Sequence, residues 1–215
     1  SLENQTAKTP EAVNAMLGKL APAAVANAKR EAADLQAMID KEQKAARKPT
    51  FKLEAWDWAY YSEKVRQAKY NFDESQLKPY FELKNVLENG VFYAANQEYG
   101  LTFKQRTDLP TYRDDITVYD VFDADGSQLA IFTFDPYARA NKRGGAWMDG
   151  ARDKRRAADG SLISPVANLV CNFTPPVGGK PALLTHDEVT TLFHEFGHGL
   201  HHLLTRVEHA SVSGI

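Results

Sequence analysis

ITVYDVFDADGSQLAIFTFD, residues 116–135, decides between an all-helical chain and a mixed one. Both halves alternate apolar with polar or β-branched residues, as half-buried strands do. Asp125-Gly126 between them is a strong hairpin signal. LTFKQ (101–105) and SPVANLVCNF (164–173), the latter bounded by Pro165 and by Pro175-Pro176, read as further strands. The charged, glycine-punctuated stretch 139–160 reads as a long loop, with a short strand at 146–148.

Outward from this sheet the texture is helical. Residues 21–44 are rich in Ala, Glu, Lys and Gln, and Val25, Ala28, Ala32, Leu35, Met38 and Ile39 recur at helical intervals up to a break at Pro49. Residues 54–70 carry Trp58, Tyr61, Val65 and Ala68 at the same spacing. A further helix is expected over 79–98, stopping before Gly100, with Asn89-Gly90 as a weak point. The order of helices, then a small sheet, then one helix gives an α+β class. The expected division is a helical region over 1–100 and a sheet-plus-helix part over 101–215.

Composition excludes several function classes. The 26 basic side chains nearly balance 28 acidic ones, so charge does not point to nucleic acid or to an anionic membrane. No apolar run reaches the roughly 18–20 residues of a membrane span, and a secretory leader is not expected. Cys171 is the only cysteine, which rules out an internal disulfide and fits a reducing compartment. A cytoplasmic location is the expectation. VGGKP (177–181) and KRGGAW (142–147) lack the spacing of a phosphate-cradling loop and read as turns.

The chemistry lies in THDEVTTLFHEFGHGLHHLLT, residues 185–205. Thr185 followed by Glu188 is a capping box that starts a helix at Thr185. Val189, Phe193, Phe196, Leu200 and Leu203 form the expected core stripe. His194 and His198 fall about 40° apart around the helix and one turn from each other, off that stripe. Their imidazoles can converge on one zinc ion, and Glu195 stands where a general base reaches a water on that ion. The plainer reading is a buried helix whose histidines are hydrogen-bonded in a core, with Glu195 at a solvated edge. A third histidine in the HExxHxxGxxH pattern is excluded, because positions 201 and 204 are His201 and Leu204. His198 and His202 are also four apart, but Gly199 follows His198 and supplies no base. Glu208 and His209 lie too near the helix end to be expected as ligands.

HEFGHGLHHLLTR with KPALLTHDEVTTLF before it resembles the thimet oligopeptidase family of zinc peptidases. RANKRGGAWMDG (139–150), ADGSL (158–162), PVANLVCNF (165–173), LKPYFELKNVLENGVF (77–92) and WDWAYYSEKVRQAKY (56–70) extend the likeness in order. The resemblance implies a mostly helical, zincin-like peptidase with a small β-sheet packed on the HExxH helix and a deep cleft for short, unfolded peptides. It implies one zinc held by His194 and His198, with Glu195 as catalytic base. The strand VANLVCNF is expected to line the cleft as an edge for an extended peptide. The family's third ligand, a glutamate on the next helix, and its oxyanion-stabilising tyrosine and histidine have no counterpart here. The chain is therefore expected to be a central slice of a longer, monomeric enzyme, itself inactive and holding zinc weakly or not at all. The rival readings are a non-catalytic metal- or peptide-binding module and a purely structural domain.

Overall fold

The computed structural model describes residues 6–71 and 74–214. Two compact units divide the chain, Ser1–Asp73 and Glu74–Ile215.

In the first unit α1 runs from Pro10 to Ala45, so it begins well before the alanine-rich part at residue 21. Thr9 caps it, its side chain accepting from the Ala12 N–H, and Pro10 occupies a first-turn position where a missing N–H costs nothing. A 3₁₀ turn at Ala55–Asp57 leads into α2 (Trp58–Tyr70). Leu35 and Ile39 of α1 pack with Tyr61 of α2, and Met38, Leu53 and Val65 border them. Of the expected stripe on α1, only the part from Ala32 onward is covered; Val25 and Ala28 are exposed.

The second unit holds the sheet. Its first helix is capped by the Glu82 carboxylate, which accepts from the N–H groups of Lys84 and Asn85. It runs as α3 (Leu83–Val86), widens into a π-helical stretch at Leu87–Phe92, and continues as α4 (Tyr93–Tyr99). The widened turn contains Asn89-Gly90, and Gly100 (φ 73°) ends the helix in a left-handed cap. This segment belongs with the sheet, not with the helical region expected over 1–100. Leu83, Val86, Leu87, Val91 and Phe92 share one core with Tyr119, Phe132 and Phe134, and that apolar face needs the sheet to cover it.

The main sheet joins β1 (Thr102–Arg106), β2 (Thr117–Phe122), β3 (Gln128–Tyr137), β4 (Trp147–Arg152) and the strand Val166–Phe173. Short β5 (Arg155–Arg156) and β6 (Leu162–Ile163) pair separately, so Val166–Phe173 is β7. The order in the main sheet is β1-β2-β3-β7-β4, with β3 and β7 parallel and every other pair antiparallel. The β2–β3 hairpin closes where expected. Gly126 takes φ 82°, and the Asp125 carboxylate accepts from the Ser127 N–H at 2.8 Å. Expectation fails at β7, which is flanked on both sides and is not an edge; the edge beside it is β4.

Helix α5 (His186–Leu203) starts on the expected capping box. The Thr185 hydroxyl accepts from the Glu188 N–H at 3.1 Å, and the Glu188 carboxylate from the Thr185 N–H at 2.8 Å. Its buried face is Leu192, Phe196, Gly199, His202 and Leu203, while Phe193 is 41% exposed. Scoring only large apolar residues misplaces this stripe, because Gly199 and His202 fill core positions where β4 comes close. The Phe196 ring lies edge-on to Phe132 at 5.3 Å and within 6.0 Å of Phe92. Phe196→Ala is expected to cost about 3–5 kcal/mol, and Phe193→Ala about 1 kcal/mol, as at partly exposed sites. Urea denaturation of the two variants checks this; equal losses would put the helix in a different rotation.

Candidate metal centre

The rotation that buries Leu192, Phe196 and Leu203 turns His194 and His198 outward, and both are exposed, while Glu195, nearer the buried face, is half-buried. Their rings stand nearly perpendicular (84°) with centroids 4.9 Å apart, and the two Nε2 atoms approach to 3.3 Å. Two nitrogens at that separation, each about 2.0–2.1 Å from one ion, subtend an angle of about 104–111°. That is close to tetrahedral, so the separation of the two nitrogens is compatible with a shared zinc ion. Among the described residues no group of three or more His, Cys, Asp or Glu is placed to hold a metal.

The other histidines on α5 divide sharply. His201 is exposed, whereas His202 is 1% exposed and its Nε2 lies 3.1 Å from the Arg152 carbonyl. A carbonyl only accepts, so His202 donates from Nε2 and is not offered to an ion beside His198. Glu208 is also engaged: its carboxylate takes two hydrogen bonds from the Arg156 guanidinium, each 2.8 Å. Burial above all pushes the Cys171 thiol up to about 12, the Lys142 ammonium opposes this, and carboxylates including Glu195 add to it. The thiol stays protonated at neutral pH and is a poor metal ligand. Gly197 faces open space; a Cβ there would meet no atom within 4 Å.

Two features of the sheet unit go beyond the sequence expectations. One is β4, whose run from Trp147 to Arg152 is twice the stretch expected inside a loop. Its alternation is masked by Gly150 and by charged residues on the outward face. The other is a buried ion cluster before it. Asp135 accepts from Arg139 at 2.8 and 2.9 Å, from Lys142 at 2.9 Å and from the Tyr112 hydroxyl at 2.7 Å. Lys142 also donates to the carbonyls of Asp135 and Tyr137. An acidic residue ending an apolar strand, with basic residues four and seven positions on, was the available signal.

The family model described as Peptidase family M3 matches residues 1–215. The chain is 46% identical to the dipeptidyl carboxypeptidase of Escherichia coli (strain K12) over 213 residues, 99% of this chain and 30% of that protein. It is 47% identical to oligopeptidase A of the same organism over 215 residues, 100% of this chain and 31% of that protein. It is 42% identical to the chloroplastic/mitochondrial organellar oligopeptidase A of Arabidopsis thaliana, over 96% of this chain and 26% of that protein. The chain thus spans less than a third of the length of these curated relatives. Among the described residues no helix is long and apolar enough to cross a membrane.

Proposed function

The chain belongs to peptidase family M3, and from that premise we propose that it forms part of a zinc-dependent oligopeptidase cutting short, unstructured peptides internally. The observation that carries the reading is the 3.3 Å approach of the His194 and His198 Nε2 atoms on the exposed side of α5, with Glu195 next to His194 in the helix and about 100° further round it. These two imidazoles would hold the ion, and the third protein ligand that catalytic zinc takes would come from outside the described residues. When bound, zinc supplies Lewis acidity, polarising the scissile carbonyl and acidifying water. Glu195 takes the proton of the attacking water and passes it to the leaving amine, as a general base and then acid does. His194 and His198 hold fixed positions because α5 is anchored by its capping box at one end and by Phe196 and Leu203 along its buried side. An extended peptide would pair with the open edge of β4, since β7 has no free side.

Two names among the relatives favour a second reading, release of C-terminal dipeptides, because the dipeptidyl carboxypeptidase is as similar as the oligopeptidase. A quenched peptide with an amidated C-terminus separates the two in the whole protein. Internal cleavage is expected at a rate near that of the free acid; strict dependence on a free carboxylate would favour the second reading. His198→Ala is expected to remove bound zinc and turnover together, read by metal analysis and the same assay. Full activity without His198 would end the metal assignment.

A further inference from the structure

We propose that His202 is a positioning residue that sets the height of edge strand β4 on α5, and with it the placement of the peptide that β4 pairs with. The inference rests on the peptidase reading above. His202 lies one helical turn beyond His198, so it is rigidly connected to the zinc-holding pair. Unlike that pair it points into the molecule, 1% exposed. Its Nε2 donates to the Arg152 carbonyl at the last residue of β4, and its ring lies against Gly150 of the same strand. A Cβ on Gly150 would stand 2.6 Å from the His202 Cε1, closer than such atoms come, so glycine is what admits the ring. One turn earlier, Gly199 faces Met148, the next residue of β4 on that side. Small residues at 150 and 199 bring strand and helix together, and one imidazole fixes how far apart they stay.

The segment after α5 closes over the same ring. Lys154 donates to the Thr205 carbonyl at 2.9 Å, the Arg156 N–H donates to the Glu208 carbonyl at 3.0 Å, and Gly214 abuts the His202 ring. Strand, helix and return segment meet on His202, which is the only one of the three contacts rooted in the helix that carries His194 and His198. A shift of β4 moves the paired peptide relative to the ion without touching either ligand.

Such a residue acts through strand contacts made alike in the ground and transition states, and loss of uniform binding raises KM and leaves kcat in place. His202→Leu keeps bulk and removes the donor. His202→Gln keeps an N–H that can reach the Arg152 carbonyl. Gly150→Ala disturbs the same contact from the strand side, at a position whose backbone tolerates alanine. In the whole protein, His202→Leu and Gly150→Ala are each expected to raise KM for a short peptide about ten-fold. Bound zinc and kcat should stay within about two-fold, and His202→Gln should stay near the parent KM. A folded, zinc-loaded His202→Leu protein with unchanged KM overturns the proposal. So does a fall in zinc or kcat with KM unmoved, which is the signature of a role in the metal site or the fold. Should His202→Leu fail to fold, an unchanged KM in Gly150→Ala overturns it instead. Absence of turnover in the parent protein would take down the peptidase reading first, and this inference with it.

Discussion

Glu195→Gln in the whole protein is expected to lower peptide turnover by about 10²–10⁴, the usual worth of general-base help, while zinc stays bound. Glu195 follows His194 on α5, is half-buried, and is not part of the imidazole pair. Glutamine keeps the size and the polar tip of the side chain and removes only the ability to take a proton. The metal should therefore be retained in normal amount, and the loss should fall on kcat. Zinc analysis and a quenched-peptide assay on the same preparation decide it. A glutamine variant turning over near the parent rate would remove Glu195 from the mechanism, and one lacking zinc would make it part of the metal site.

Asp135→Asn is expected to destabilise the sheet unit by about 3–5 kcal/mol, the cost of breaking a buried ion pair from one side. The Lys142 side chain is 3% exposed and that of Asp135 is 4% exposed. Asparagine keeps an acceptor oxygen but no charge, so the buried ammonium is left with neutral acceptors alone, among them the Asp135 and Tyr137 carbonyls. Arg139, 21% exposed, can turn toward water; Lys142 cannot. The cluster ties down the segment leading from β3 into β4, so its loss should loosen the edge strand before the rest of the sheet. Burial pushes the Asp135 carboxyl up, but the hydrogen bonds from Arg139, Lys142 and Tyr112 outweigh it and hold it below its ordinary value. A depressed folded pKa contributes stability that is present above the unfolded value of about 3.9 and lost as pH falls through the folded one. The parent should therefore lose stability on acidification below about pH 4, and Asp135→Asn should lose less there. Denaturant midpoints at neutral and acidic pH measure both effects; a variant as stable as the parent at neutral pH would show that Lys142 is not held by this carboxylate.

These two predictions differ in how early their residues could be recognised. Glu195 stands out in the sequence because a metal-site helix needs its ligands one turn apart and its base next to one of them, and helix periodicity converts that spacing directly into geometry. The same locality explains why the Thr185 capping box, the Asp125-Gly126 turn and the end of the helix at Gly100 were legible: each depends on residues within a few positions of one another. Asp135 carries a local signal in the basic residues four and seven positions on, but Tyr112 joins it across 23 residues of chain, and nothing local in the sequence records that meeting.

By itself, then, the sequence determined the mixed helix-and-sheet class, most strand positions, and which face of α5 carries His194 and His198. Tertiary structure alone decided which strand is the edge. A strand flanked on both sides and a strand at the rim can share one apolar pattern, so the pattern of Val166–Phe173 does not reveal that β4 pairs beyond it, against the edge role that the family resemblance implies. It also decided that Phe193 faces outward while His202 and Gly199 lie in the core. Hydropathy ranks residues one at a time, whereas burial is set by how closely a second backbone approaches, and at β4 that approach favours a glycine and a hydrogen-bonded ring over a phenylalanine.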